Sequence, residues 1–151
     1  MKITSPYLHF MGNTEEAMTF YKSVFGGKFL IHQKFRDLPG SERMPKQELD
    51  KIIHISLDMG NGNTLMATDA LESMGQQLTI GNNFHICVHT ESEKETDRLF
   101  NDLAAGGEVE MPLNKTLWGA YFGMVKDKFS IQWMISYTYD GQKVDQNLSQ
   151  G

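Results

Sequence analysis

The sequence predicts an α+β protein made of two βαβββ modules, and two observations carry that prediction. The chain echoes itself eighty residues on: Tyr7-Leu8-His9 returns as Cys87-Val88-His89, Phe20 as Phe100, and Gly26-Gly27 as Gly106-Gly107. Self-similarity at a fixed period marks an internal duplication. Each copy then reads as a strand, a helix and three further β-prone runs. A half of this length is too long for a solenoid repeat, so the copies are expected as paired modules that can enclose a site between them.

In the first copy, residues 3–11 (ITSPYLHFM) read as a strand, and Gly12-Asn13-Thr14 supplies a turn and an N-cap. A helix is expected over 14–25. Ala17, Phe20, Tyr21 and Val24 fall on one face, Glu15 and Glu16 suit its positive end, and Gly26-Gly27 stops it. Residues 28–35 alternate as a second strand. The stretch 36–51 holds Pro39, Gly40 and Pro45 among charges and is expected as a long irregular loop, a candidate lid. Residues 52–59 and 64–69 flank Gly60-Asn61-Gly62-Asn63 and read as a hairpin. In the second copy, 84–90 is a strand and 91–105 a helix with Thr96, Leu99, Phe100 and Leu103 at core spacing. Strands follow at 108–113, 119–126 and 129–137. The organisation is therefore a first module over 1–70, a connector over 71–82, a second module over 83–137 and a polar tail over 138–151.

Composition narrows the function classes. With 151 residues and 40% hydrophobic content, the chain can bury a core without covalent staples. Cys87 is the single cysteine, so no intrachain disulfide forms, and Met1-Lys2-Ile3-Thr4 has no signal-peptide pattern; the expected location is cytoplasmic. A formal charge of −5 repels phosphate backbones, and no apolar run reaches membrane-span length, so nucleic acid and membrane are not expected partners. The ten methionines suit adaptable core filling or a plastic apolar pocket.

Pro6-Tyr7-Leu8, Gly12-Asn13, Glu15-Glu16-Ala17, Phe20-Tyr21, Phe25-Gly26-Gly27, Trp118-Gly119 and the run from Asp127-Lys128-Phe129 to Trp133 carry a resemblance. Over about residues 3–137 the chain resembles the vicinal-oxygen-chelate superfamily of glyoxalases, bleomycin-resistance proteins and extradiol dioxygenases, in its PhnB-like branch. Ser130 stands where that branch usually has glycine. The resemblance implies paired modules forming a cupped mixed sheet with helices on the outside, a homodimer, and a divalent metal held by the first and fourth strands of each module. Mapped through the repeat, the metal positions become Ser5, Met66, His85 and Gln132. Nickel, zinc, manganese and iron sites require oxygen-rich or imidazole-rich ligation, which serine and methionine do not supply. The four positions are therefore read as vestigial and no cofactor is expected. A slipped fourth strand would bring in Thr68 or Asp69, but period-2 alternation keeps Thr68 with Met66 and sends Asp69 to the opposite face.

The same alternation puts Tyr7 and His9 with Ser5, Cys87 and His89 with His85, and Met134 with Gln132. The predicted ligand-binding set is Ser5, Tyr7, His9, Met66, Thr68, His85, Cys87, His89, Gln132 and Met134. Leu8, Phe10, Phe84, Ile86, Val88, Ile131, Trp133 and Ile135 are expected to pack under the helices. His85 and His89 are candidate acid/base groups, set against a structural role as hydrogen-bonded histidines, with His54 and His32 weaker candidates. Cys87 reads as a small buried hydrophobe before a nucleophile, and Trp118 and Tyr121 as pocket wall, core or dimer contact. The expected function is small-molecule binding of the glyoxalase/bleomycin-resistance type without a catalytic metal. The alternative is a metal-dependent glyoxalase-like lyase or isomerase. Branch relatives carry a demethylubiquinone methyltransferase label, but no glycine-rich strand-to-helix turn offers a nucleotide cradle, so this chemistry is not expected.

Overall fold

The computed structural model describes residues 1–139, so most of the expected tail, residues 140–151, lies outside the described residues. The chain divides into two units, Met1–Thr79 and the part from Ile80 on. In the first, β1 (Tyr7–Phe10), α1 (Thr14–Phe25), β2 (Lys28–Lys34), β3 (Ile52–Asp58) and β4 (Thr64–Asp69) form a four-stranded sheet in the order β1-β4-β3-β2. In the second, β5 (Ile86–Thr90), α2 (Glu93–Ala104), β6 (Glu108–Lys115), β7 (Ala120–Lys126) and β8 (Gln132–Thr138) repeat it as β5-β8-β7-β6. In both, the first and last strands pair in parallel and the other pairs are antiparallel. The architecture is thus two βαβββ modules, each with a mixed sheet.

Each helix lays one apolar stripe on one face of its sheet. Ala17, Met18, Tyr21 and Val24 of α1 are buried, as are Leu8, Phe10, Ile55, Leu57, Leu65 and Ala67 of the strands. In the second unit Thr96, Leu99, Phe100 and Leu103 of α2 are buried, together with Val125, Trp133 and Ile135. Each fully buried side chain of this size contributes about 1.5–3 kcal/mol through removal from water. Phe20 is half-buried, and Met18 takes the deeper position.

The Gly-Gly pairs have a steric reason. A Cβ on Gly27 would stand 2.0 Å from the Asp58 carbonyl oxygen, and one on Gly107 would stand 2.2 Å from that of Lys126. In both units the chain leaving the helix therefore presses directly on the backbone near the end of the third strand. This close approach is what the repeated glycines encode.

Several boundaries differ from expectation. β1 starts at Tyr7 rather than residue 3, because Pro6 has no N–H to donate; its carbonyl accepts from Met66 N (3.1 Å), and Ile3 is exposed. β5 starts at Ile86, which leaves Phe84 exposed rather than under a helix, while Ile86, Val88 and Ile131 are half-buried. β8 starts at Gln132 rather than 129, because Asp127 closes a turn. Its Oδ1 accepts from the Phe129 and Ile131 amides (2.8 and 3.1 Å) and its Oδ2 from the Trp133 indole (2.8 Å). The 36–51 stretch is not wholly irregular: it holds 3-10 turns at Ser41–Arg43 and Lys46–Glu48, after one at Phe35–Asp37. Buried Phe35 and Glu48 anchor the segment, and the Glu48 carboxylate accepts from the Ser73 amide and hydroxyl.

Candidate ligand site

In each sheet the face opposite the helix holds most of the predicted ligand residues. Residues paired directly across neighbouring strands share a face, so Tyr7, Met66, Ser56 and Ile31 form one row in the first unit, with His9 opposite Thr68 in the next. Tyr7 Oη lies 2.9 Å from His54 Nδ1, and the Tyr7 ring sits 5.4 Å from His9 and 5.5 Å from His54. The Thr68 hydroxyl donates to the Ile53 carbonyl at 2.7 Å. Ser5 is half-buried and precedes β1.

Asp69 faces the other way and is structural. Its Oδ1 accepts from the Gly12 amide (2.9 Å), the Thr14 amide (3.1 Å) and the Thr14 hydroxyl (2.7 Å), and its Oδ2 from the Ile52 amide (2.8 Å). This carboxylate caps α1, whereas Asn13 makes no side-chain cap bond. A cleft of about 520 Å³ also opens on this helix side, and none of the ten predicted ligand residues lines it. Its Lys51 ammonium is tied to the Gly12 carbonyl at 2.9 Å and its Asp69 to the cap, so the groups at its floor hold the fold together.

The second unit places a carboxylate among the expected residues. β6 pairs Val109 with Val125 but Met111 with Met124, so Glu110 is the extra residue of a bulge. Bulges re-aim side chains and recur beside functional sites. Here the Glu110 carboxylate bridges two groups: Oε1 lies 2.9 Å from His85 Nε2, and Oε2 accepts from Gln132 Nε2 at 2.7 Å. Burial pushes the Glu110 carboxyl up, but the His85 and Gln132 hydrogen bonds and the charges of His85 and Lys126 outweigh it and hold the group below the ordinary glutamate value. Gln132 is buried, while the His85 and Glu110 side chains keep 18% and 25% of their surface exposed, enough for a ligand to reach them.

Beside this triad, Cys87 is paired with Met134 and His89 with Ser136. Cys87 is exposed rather than a buried hydrophobe, and its Sγ lies 3.6 Å from His89 Nε2. Desolvation pushes its thiol up, which works against a free nucleophilic thiolate. Tyr121 faces α2, not this surface: its hydroxyl donates to Asp97 at 2.6 Å, which together with burial raises it to about 12. Trp118 is exposed against the edge of Phe122. His32 reaches Glu15 of α1 at 3.4 Å, which places it on the helix side.

Sequence reasoning missed Glu110 as a site residue and gave His54 little weight. Plain alternation could have grouped His54 with Ser56 and Glu110 with Glu108, but nothing in the sequence marks the register that sets Glu108 across Lys126 from Gln132.

The residues do not fit a divalent catalytic ion. Among the described residues no group of three or more His, Cys, Asp and Glu side chains could hold one. His85 and Glu110 satisfy each other, the Gln132 amide nitrogen is committed to the same carboxylate, and Ser5 and Met66 add no charged or imidazole donor.

Comparison with known proteins places the chain. The model of the family described as 3-demethylubiquinone-9 3-methyltransferase matches residues 2–136. The chain belongs to this family. Protein YjdN of Escherichia coli is 31% identical over 140 residues, spanning 87% of this chain and 92% of YjdN. The structure of PA1353 from Pseudomonas aeruginosa superposes with a TM-score of 0.81 at 36% identity, over 93% of this chain and all (100%) of that one. The PhnB protein from Bacillus cereus gives 0.72 at 28% identity, over 91% and 100%. A glyoxylase/bleomycin resistance protein/dioxygenase domain from Frankia shares the fold at 13% identity, with a TM-score of 0.65 over 93% and 94%. The chain is thus PhnB-like, and its fold is the one seen in glyoxalase/bleomycin resistance/dioxygenase proteins. No helix among the described residues is long and apolar enough to cross a membrane.

Proposed function

We propose that this family member binds a small organic molecule on the strand face carrying His85, Glu110 and Gln132, without a catalytic divalent metal, as a cytoplasmic homodimer. One observation carries the reading: an accessible carboxylate, oriented by two side-chain hydrogen bonds, shares its strand face with Cys87, His89, Met134 and Phe122. Small-molecule sites combine such apolar walls with a few orienting polar atoms. Glu110 is kept anionic by its partners, so it selects a ligand bearing a cationic or N–H-rich group. The methyltransferase chemistry in the family description is not part of the proposal. The strand-to-helix turn of the first unit is not glycine-rich, and its Gly12 and Thr14 amides already serve Asp69, which leaves them unavailable to a nucleotide cofactor.

Benzamidine and benzylamine, with benzoate as the opposite-charge control, test this by calorimetry. The expected result is binding of the cations and not of benzoate, weakened at least tenfold by Glu110→Gln. Because the Glu110 carboxyl lies below its ordinary value, cation binding should persist as pH falls to about 4.3 and fade only below it. Equal affinity in the Gln variant, or no binding of either cation, overturns the reading. The rival, a metal-dependent lyase or isomerase, draws on His85 and Glu110 as two ordinary divalent ligands 2.9 Å apart. Stoichiometric nickel, zinc, manganese or iron in protein purified without chelator would favour it and overturn the metal-free reading.

A further inference from the structure

The registers of the second sheet align four sulfur side chains. Cys87 pairs with Met134, Met134 with Met124, and Met124 with Met111, so β5, β8, β7 and β6 each place one sulfur residue in a single row on one face. His89 lies two residues beyond Cys87 on the same face, with Nε2 3.6 Å from the thiol sulfur. A sulfur about 2.3 Å and a nitrogen about 2.0 Å from one metal, at an angle of about 110–120°, stand roughly 3.5–3.7 Å apart. The hydrogen-bonded separation of 3.6 Å therefore also fits two ligands sharing one ion. Met134 extends from the neighbouring strand about 4.8 Å away, within reach of a thioether arm with three rotatable bonds.

We propose that Cys87, His89 and Met134 form a binding site for a monovalent soft metal ion, Cu(I), with Met124 next in the row. Thiolate and thioether sulfur select Cu(I), and three donors suffice for it. Harder divalent ions gain little from a thioether and find here only one thiolate and one imidazole. On binding, a copper–sulfur bond replaces the thiol S–H bond and the proton leaves to solvent, so copper keeps its oxidation state and no oxidant or reductant is involved. All three donors are exposed or half-buried, so the ion has a route in. They stand on paired strands, which hold donors more closely than loops do. The site shares its strand face with the His85–Glu110–Gln132 triad but uses other side chains, and copper withdrawal can fail or succeed whatever the outcome of the benzamidine and benzylamine test.

The test is anaerobic competition of the full-length protein against Cu(I)-bicinchoninate, with X-ray absorption on the loaded protein. The expected result is one Cu(I) withdrawn per chain, with sulfur and nitrogen bonded to the metal. Cys87→Ser, His89→Gln and Met134→Leu should each weaken binding at least tenfold, while Asp102→Asn on the exposed side of α2 leaves it unchanged. Failure to withdraw copper, a spectrum with no sulfur bonded to copper, or Met134→Leu and His89→Gln variants that match the parent overturns the proposal. The last outcome would leave only a bare thiolate adduct. The absorption spectrum is recorded on the unmutated protein, so a variant that fails to fold does not blunt the test.

Discussion

Ser130 holds φ at 69°, in the left-handed region where a Cβ crowds the following carbonyl. The family resemblance leads one to expect glycine at this point of the turn, and the positive φ gives that expectation a physical reason. Ser130→Gly removes about 1–2 kcal/mol of left-handed strain but restores about 0.5–1 kcal/mol of unfolded-chain freedom. A net gain of roughly 0.5–1 kcal/mol is expected, read as a rise of about 1–4 °C in melting temperature; no rise would mean the Asp127 turn relieves the strain. The repeated Gly27 and Gly107 were legible as punctuation, but their reason, a carbonyl 2.0 or 2.2 Å from a would-be Cβ, lies in contacts remote in sequence. Glu110 was illegible for a related reason. Alternation with Glu108 gives its face, but its meeting with His85 and Gln132 depends on the register of β6, β7 and β8, which is set by pairing between distant residues.

At the scale of the element, the two helices solve one problem in two ways. Ser92 caps α2 locally, its hydroxyl accepting from the Glu95 amide at 3.0 Å. In α1 the cap comes from Asp69, across the sheet, and the same carboxylate holds Ile52 at the start of β3. Asn13 looked sufficient because Asn is a favoured N-cap residue, yet its side chain takes no part. Asp69→Asn keeps one acceptor oxygen and points an amide N–H₂ at a backbone donor, leaving at least one buried N–H unpaired. A loss of about 2–3 kcal/mol is expected by urea denaturation; a loss below about 0.5 kcal/mol would show that the Asn13 side chain can take over. Helix cores were legible because a 3.6-residue stripe is a local pattern. Strand starts were not, because Pro6 and the Asp127 turn decide where pairing can begin.

At the scale of the molecule, the outer strands leave apolar side chains exposed: Leu30 and Ile31 on β2, Val109 and Met111 on β6. Unpaired sheet edges of this kind are ready to add a second chain, which supports the proposed homodimer. Light scattering at micromolar concentration should then return twice 17.2 kDa, and a monomer mass across the accessible range would remove the dimer. The duplication, the α+β class and the family were decided by the sequence itself, because repeats, periodicity and helix punctuation are written in consecutive residues. Ser5 and Met66 are weak donors in any fold, so the poverty of the quartet that the resemblance implies can be read from the sequence. Only tertiary structure decided that Glu110 joins His85 and Gln132, that Asp69 serves as a cap, and that four sulfurs fall in one row. Each depends on strand register or a bulge, and register is set by pairing between residues far apart in the chain.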